Sequence, residues 1–230
     1  MTILGTKNPA YAIWRRRGIG NAHNGAHYYG QEIEDLILPH IKSDVFVVTA
    51  GGTLQPRKVP NGCVFVCHHN QNPEQVYKSF FGKGILWVCS KLSTVEKLGA
   101  VGEKAVYIPL SIDTKYVEKF KAEKTRDIAF VGNFWSFKRS YLDSLPDNIH
   151  QVGILPRERL LTEMAKYRRV IAEGRCNMEA QVLGCEVELP GYKDSSLDPI
   201  DRDVLDSRDA IPLWREVLTA FSEKTDILSI

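Results

Sequence analysis

A polar cluster opens the segment GRCNMEAQVLG, which covers residues 174–184 and follows an apolar run. Asparagine is a common N-cap, so the pattern predicts a helix with Asn177 as its N-cap and Glu179 in its first turn. A helix start presents unpaired backbone N–H groups and the positive end of the dipole, and both favour phosphate. Arg175 and the backbone N–H groups of Asn177 and Met178 are the predicted anion ligands. An asparagine cap and an early glutamate also stabilise a helix that binds nothing.

A glycine turn and two cations follow the apolar run DIAFVG at 127–132. Gly132 ends this predicted strand, and Asn133 comes directly after it. Lys138 and Arg139 lie in the loop that follows. Because ligands in open α/β sheets bind at the carboxyl ends of the strands, this loop is a second predicted anion site.

The first half of the chain contains a loop rich in glycine, asparagine and histidine, RRRGIGNAHNGAHYYG at 15–30. Its glycines allow the backbone to approach a ligand closely. Gly18 and Gly20 match two positions of the dinucleotide-binding fingerprint, whereas His23 stands at the third glycine position. We therefore expect ligand contact here without a true dinucleotide-binding motif.

Two histidines, His68 and His69, follow the apolar residues of the run CVFVC at 63–67. An imidazole at the end of a strand is able to polarise a hydroxyl. Paired histidines at such a position are also common surface residues. They are the candidate catalytic residues of the first half, and the sequence does not choose between them.

Two patterns imitate metal sites. Cys63, Cys67 and His68 lie along one predicted strand, where the step between the two cysteines is roughly 13 Å, too long for a shared tetrahedral ion. Asp201 and Asp203 form an Asp-x-Asp pair in a polar stretch with no buried strand before it. Neither pattern therefore predicts a metal site.

Short apolar runs alternate with helical patterns along the chain, which predicts a doubly wound α/β fold with parallel sheets. The predicted strands are 10–14, 45–50, 63–68, 85–90, 105–110, 127–132, 150–154, 168–173 and 185–189. The predicted helices are 31–38, 73–81, 91–98, 114–123, 157–166, 177–183 and 212–223.

The highly charged run DTKYVEKFKAEKTRD divides this pattern into two similar series. We expect two Rossmann-like domains, an N-terminal one at 1–110 and a C-terminal one at 111–209. Residues 210–230 are expected to form a helix that packs back across both domains. A ligand would then bind in the cleft between the domains.

Composition and charge restrict the class of protein and its partners. The 230 residues carry a net charge of +2, but residues 1–110 have 12 Lys+Arg against 7 Asp+Glu, and residues 111–230 have 18 against 21. A basic first half favours an anionic or polar partner, although it also suits a plain solvated surface. Five cysteines, mostly in apolar runs, favour reduced thiols and a cytoplasmic location. We expect neither a signal peptide nor a membrane span.

The order of these motifs resembles the nucleotide-binding half of retaining glycosyltransferases of the GT-B fold, of the family 4-like group. The resemblance covers roughly residues 85–190. It rests on ILWVCSKLSTVEKL, on AVYIPLSIDTKYV, on the Gly132 loop and on Gly174–Gly184. It implies two Rossmann-like domains that face each other across a cleft, reduced here in size. It also implies transfer of a sugar from a nucleoside-diphosphate sugar, as co-substrate, to an acceptor hydroxyl, with retention and without a metal or another cofactor.

The resemblance also implies roles for the residues named above. Lys138 and Arg139 would neutralise the departing diphosphate and so count as catalytic, together with one of the two histidines. Glu179 would accept the ribose hydroxyls, and the backbone of Ile154 would recognise the base. The implied donor-binding set is Gly18, Gly20, Gly132, Asn133, Lys138, Ile154, Arg175, Asn177, Met178 and Glu179.

Small glycosyltransferases of this kind occur in phages, and some of them glycosylate hydroxymethylated bases in DNA. A basic first half suits duplex DNA as the acceptor. If the protein is encoded by a phage, its expected location is the host cytoplasm. The candidate acceptor-binding residues are Arg15, Arg16, Arg17, His23, Arg57 and Lys58. A polysaccharide or other glycan is the alternative acceptor. A sugar-nucleotide epimerase and a non-catalytic nucleotide-sugar-binding module are alternative functions. Ile171 stands where the family often has a glutamate, and this difference makes the second alternative possible.

Overall fold

The computed structural model of the chain describes residues 2–5, 12–15, 25–41, 45, 47–49, 61–67, 72–132, 141–153, 155–190 and 204–223. These residues belong to two compact units. The first unit comprises residues 1–111, 196–198 and 207–230, and the second comprises residues 112–195 and 199–206. Each unit contains a four-stranded parallel sheet, which confirms the α/β class with parallel sheets that strand–helix alternation predicts.

The sheet of the first unit has the strand order β3-β4-β5-β6, and all its strands are parallel. The strands are β3 (Val47–Thr49), β4 (Val64–Cys67), β5 (Leu86–Cys89) and β6 (Lys104–Tyr107). Every residue of β4 and β5 is buried. A parallel strand covered on both faces has to be apolar along its whole length, which explains the continuous apolar runs.

The helices of the first unit are in part less regular than the sequence pattern predicts, and α2 is shorter than its predicted range of 73–81. They are α1 (Gly25–Glu32), α2 (Pro73–Val76), α3 (Leu92–Gly99) and α7 (Ile211–Ser222). A π-helical turn at Ile33–Ile37 and a 3₁₀ turn at Leu38–His40 continue α1, and a 3₁₀ turn at Lys78–Phe80 follows α2. Helix α7 buries Trp214, Val217 and Leu218, whereas Leu213 is exposed.

The first predicted strand pairs differently from the expectation. Strand β2 (Ala12–Arg15) forms an antiparallel pair with β1 (Thr2–Gly5), which the sequence analysis did not predict. The placement of this strand in a parallel sheet is therefore wrong. Only six residues separate the two strands, and a parallel connection needs a crossover of about a dozen residues or more, so the short connection dictates antiparallel pairing.

Aromatic side chains form the core on one face of the first sheet. The ring centroid of Trp87 lies 4.9 Å from that of Phe65 and 5.1 Å from that of Tyr77. The indole Nε1 of Trp87 donates a 2.8 Å hydrogen bond to Glu103, and the other carboxylate oxygen of Glu103 accepts from the backbone of Gly82. Glu103 thereby ties the loop before β5 to the core.

Cys63, Cys67 and Cys89 are buried in this aromatic core. All five cysteines are free thiols, and Cys185 is also buried whereas Cys176 is half-buried. Burial raises the pKa of Cys63 to about 12, so this thiol stays protonated at neutral pH. The expectation of reduced, packed thiols agrees with this arrangement.

The sheet of the second unit has the strand order β11-β10-β8-β9 and is parallel throughout. The strands are β8 (Arg126–Val131), β9 (His150–Val152), β10 (Tyr167–Ile171) and β11 (Glu186–Glu188). The helices are α4 (Thr114–Glu118), α5 (Arg157–Met164) and α6 (Gly174–Val182). Two short strands, β7 (Ser111–Ile112) and β12 (Leu205–Asp206), pair with each other.

Lys124 fastens the ends of two helices in the second unit. Its Nζ donates hydrogen bonds to the backbone oxygen of Ala165, at 2.9 Å, and to that of Leu183, at 2.8 Å. These carbonyls directly follow α5 and α6. Backbone carbonyls at a helix C-terminus have no intrahelical partner, so one ammonium satisfies both ends.

Polar side chains cluster at the amino edge of the second sheet. The hydroxyl of Tyr167 lies 2.7 Å from Nδ1 of His150 and accepts a 2.9 Å hydrogen bond from Arg126. Arg126 also pairs with Glu163, to which Lys166 donates a 2.6 Å hydrogen bond.

No described helix is both long and apolar enough to cross a membrane.

The ion pairs of Glu163 predict a small acid-dependent loss of stability. Lys166, and after it Arg126, holds the pKa of Glu163 below its ordinary value of 4.5. A carboxyl whose pKa is lowered by folding stabilises the folded state above its unfolded pKa, and this contribution disappears as the pH falls through the folded pKa. Between pH 6 and pH 3 the wild type should lose up to about 1 kcal/mol more than Glu163→Gln, measured by urea unfolding. Equal losses in both proteins would contradict the assignment.

Candidate functional site

The strand order of the second unit creates a topological switch point between β8 and β10. The chain runs from β8 to β9 on one side, then returns to β10 on the other side of β8 and continues to β11. The connections that leave the carboxyl ends of β8 and β10 therefore diverge. In open parallel sheets ligands bind in the crevice at such a point.

Two glycines mark the two sides of this switch point. Gly132 directly follows β8, and its backbone N–H donates to the carbonyl of Val152 in β9. Gly174 begins α6 after β10 and has a φ of +58°. A residue with a side chain is strained at that φ, so glycine permits the abrupt turn from strand to helix. The Cβ of another residue at 174 would meet no atom within 4 Å, so the backbone conformation alone requires the glycine.

Helix α6 begins three residues earlier than the sequence analysis predicts. The helix starts at Gly174 with Glu173 as its N-cap residue, in extended backbone conformation. Asn177 is therefore not the N-cap, and Glu179 lies in the second turn and not in the first. The N–H groups that have no acceptor within α6 belong to the first residues of the helix, from Gly174 onward. Those of Asn177 and Met178 have partners one turn back along the helix, so the geometric basis of their predicted phosphate contact is wrong.

Asn177 and Met178 instead face the interior of the unit. The side-chain amide of Asn177 donates a 3.1 Å hydrogen bond to the carbonyl of Ala172, which directly follows β10. Gln181 donates to the side-chain oxygen of Asn177 at 2.7 Å. Met178 is almost completely buried. These residues fix α6 against the end of β10.

Glu179 and two arginines form a buried ion cluster at the site. Nε of Arg175 donates a 2.8 Å hydrogen bond to Oε1 of Glu179 from the preceding turn of α6. The guanidinium of Arg157, the first residue of α5, lies 3.3 Å from the same oxygen. The side chains of Glu179 and Arg175 are only 3% and 5% exposed, and that of Arg157 is 12% exposed. The structure thus brings the predicted residues Arg175 and Glu179 together, in contact with each other.

The second carboxylate oxygen of Glu179, Oε2, differs from the first. Both arginines contact Oε1, and none of the described residues donates a hydrogen bond to Oε2. A carboxylate oxygen to which no protein group donates can accept hydrogen bonds from the hydroxyl groups of a ligand.

Arg157 is held in turn by an aromatic ring. The centre of its guanidinium lies 4.8 Å from the ring centroid of Tyr116 in α4, a cation–π arrangement. The hydroxyl of Tyr116 donates to Glu158 at 3.3 Å. Sequence reasoning missed both Arg157 and Tyr116. One signal was present, because an arginine at the first position of a helix opposes the helix dipole and needs a compensating anion.

Most of the other predicted site residues lie outside the described residues. Arg15 is the last residue of β2, and of its side chain nothing is described. The predicted residues outside the described part of the chain are Arg16, Arg17, Gly18, Gly20, His23, Arg57, Lys58, His68, His69, Asn133, Lys138, Arg139 and Ile154. Their roles stay predictions.

Within the described part of the chain, no group of three or more His, Cys, Asp or Glu side chains is arranged to hold a metal ion. The cation-rich cluster around Glu179 is suited to polar and anionic organic ligands.

Comparisons with protein-family models, with curated proteins and with solved structures give no match for this chain.

Proposed function

We propose that the protein is a glycosyltransferase that uses a nucleoside-diphosphate sugar, with its donor site at the switch point of the second unit. The observation that carries the proposal is the carboxylate of Glu179. It is almost fully buried in the second turn of α6, the helix that follows β10; two arginines hold Oε1, and Oε2 has no described donor. A fixed carboxylate oxygen in this position suits the hydroxyl groups of a ribose.

The surroundings of Glu179 also suit a diphosphate. The start of α6, shortly after β10, presents backbone N–H groups and the positive end of the helix dipole. In the proposal, Lys138 and Arg139 supply further positive charge after Gly132. Neutralising the leaving nucleoside diphosphate is the main task of such a site and needs no metal when cations and helix N–H groups are preorganised.

In the proposed reaction the sugar carbon exchanges one oxygen for another. The bond from the sugar to the diphosphate oxygen breaks, a bond to the acceptor oxygen forms, and the acceptor hydroxyl loses its proton. The resemblance favours retention at the sugar carbon, a GT-B arrangement of two facing domains, and one of His68 and His69 near the sugar. For the acceptor we propose a hydroxymethylated base in duplex DNA, contacted by the basic residues of the first half, with a glycan as the alternative.

One observation favours a second candidate, a nucleotide-sugar-binding module without transferase activity. Ile171 ends β10 and packs in the core with Phe130 and Leu142. The related enzymes often carry a carboxylate near the sugar at this position, and a buried isoleucine cannot replace it. Such a module would bind the same donor through Glu179 and release no product.

Product release separates these candidates. The protein is incubated with sugar nucleotides and with duplex DNA that contains hydroxymethylated bases, with unmodified duplex, or with oligosaccharides. Nucleoside diphosphate that appears only with the hydroxymethylated duplex would support the DNA acceptor. Release only with oligosaccharides would indicate that the acceptor is a glycan and not DNA. Binding of a sugar nucleotide without release would support the non-catalytic binding module. Interconversion of the sugar without an acceptor would indicate an epimerase.

A further inference from the structure

We propose that Arg157 is a positioning residue that fixes the carboxylate of Glu179 for its ligand, with Tyr116 holding Arg157 in place. The inference rests on the proposed function, because it assigns a task to a residue beside the same carboxylate. It concerns a contact between two helices that the sequence pattern does not reveal. All residues involved belong to the second unit.

The two arginines at Glu179 are not equivalent. Arg175 lies four residues before Glu179 on the same helix, and this spacing brings the two side chains together in any α-helix. Arg157 reaches the same oxygen from α5. Arg157 therefore fixes the carboxylate relative to a second helix, whereas Arg175 belongs to the same helix as Glu179.

The location of Arg157 is unfavourable for stability alone. A cation at the first position of α5 opposes the helix dipole, and burial of its side chain to 12% exposure costs solvation. Buried ion pairs are often no better for stability than apolar residues of similar volume. The contact with Glu179 and the cation–π contact with Tyr116 offset these costs and give the guanidinium a single orientation.

The geometry determines which carboxylate oxygen a ligand meets. Arg157 and Arg175 both contact Oε1, so rotation of the carboxylate that exchanges the two oxygens would need both contacts to break and reform. Oε2 is then the oxygen that a ligand meets. If Oε2 accepts hydroxyl groups of a ribose, loss of Arg157 should weaken recognition of those hydroxyls more than it weakens binding of the phosphates.

The test compares ribonucleotides with 2′-deoxyribonucleotides. Isothermal titration calorimetry gives the Kd values of ADP, CDP, GDP and UDP and of their 2′-deoxy counterparts for the full chain. A hydrogen bond to a charged group predicts that the wild type prefers the ribonucleotide by roughly 10-fold or more. In Arg157→Gln this preference should fall to about 3-fold or less.

Three further variants make the result specific. Arg126→Gln removes an arginine at the amino edge of the same sheet, where it contacts Glu163 and Tyr167, and should leave the preference unchanged. Tyr116→Ala should reduce the preference because it removes the ring under Arg157. Tyr116→Phe keeps the ring and should retain the preference. The Tyr116 pair also serves if Arg157→Gln does not fold.

Each outcome has a distinct meaning. A reduced preference in Arg157→Gln and Tyr116→Ala, with unchanged preference in Arg126→Gln, would support the positioning role. An unchanged preference in both variants would overturn that role and leave the proposed function standing, since a merely structural arginine changes stability and not the ratio of two Kd values. If the wild type binds none of the eight nucleotides, the proposed function fails and the positioning role fails with it.

Discussion

Glu179→Ala is expected to lower the free energy of unfolding by about 3–5 kcal/mol. The substitution leaves the guanidinium groups of Arg157 and Arg175 in the interior without the carboxylate that neutralises them. Removing one partner of a buried ion cluster is far more costly than removing a surface pair, because the remaining charges keep their desolvation cost. Urea unfolding followed by circular dichroism measures the change.

A surface ion pair of the same unit supplies the control. Glu188 is 51% exposed and lies 3.5 Å from Arg169, so Glu188→Ala should cost less than about 1 kcal/mol. If Glu179→Ala were no more destabilising than Glu188→Ala, the charges of the cluster of Glu179, Arg157 and Arg175 would not be buried in the folded protein. The account of the donor site would then lose its structural basis.

Trp87→Ala is the second substitution with a large expected effect, at about 3–5 kcal/mol. Trp87 is completely buried and its ring packs on Phe65, Tyr77 and Phe81. Alanine would leave a large cavity in the core of the first unit and would remove the indole donor from Glu103. The expected result is a lower urea midpoint with the secondary structure retained under native conditions.

Trp87→Phe separates the two contributions to this effect. Phenylalanine keeps much of the aromatic volume but cannot donate to Glu103, so the loss should be smaller, at about 1–3 kcal/mol. A loss in Trp87→Phe as large as in Trp87→Ala would mean that the hydrogen bond to Glu103, and not packing, stabilises the loop and the core.

The strands could be predicted because their signal is local. VFVC at β4 and LWVC at β5 are apolar along their whole length, as strands in a doubly covered parallel sheet must be. The short strand β1 is an exception. It is a strand because it pairs with β2, and its four residues alone do not predict that partner.

The start of α6 shows where local reasoning failed. Asn177 has the side chain of a good N-cap, but Gly174 turns the chain into the helix three residues earlier, and the amide of Asn177 bonds to Ala172 instead. The presence of a polar cluster at this junction was predictable. The roles within it depend on the residue at which the helix begins, and a shift of three residues moves Glu179 by almost a turn.

The contact between Arg157 and Glu179 was not predictable from spacing. These residues are on different helices, and only the return of the chain from β9 across to β10 brings α5 beside α6. Tyr116 is further away still in sequence. Contacts of this kind follow from the tertiary arrangement, whereas the pair Arg175 and Glu179 follows from helix periodicity alone.

The central claim is that the carboxylate of Glu179 serves a nucleotide ligand, and thermal stabilisation tests it most directly. Wild type and Glu179→Gln are each heated with the same concentration of nucleoside diphosphates or sugar nucleotides, about 100 times the Kd of the wild type. We predict that one nucleotide raises the Tm of the wild type by roughly 5–10 °C and that this shift is largely lost in Glu179→Gln. No shift with any nucleotide, or the same shift in Glu179→Gln, would contradict the account.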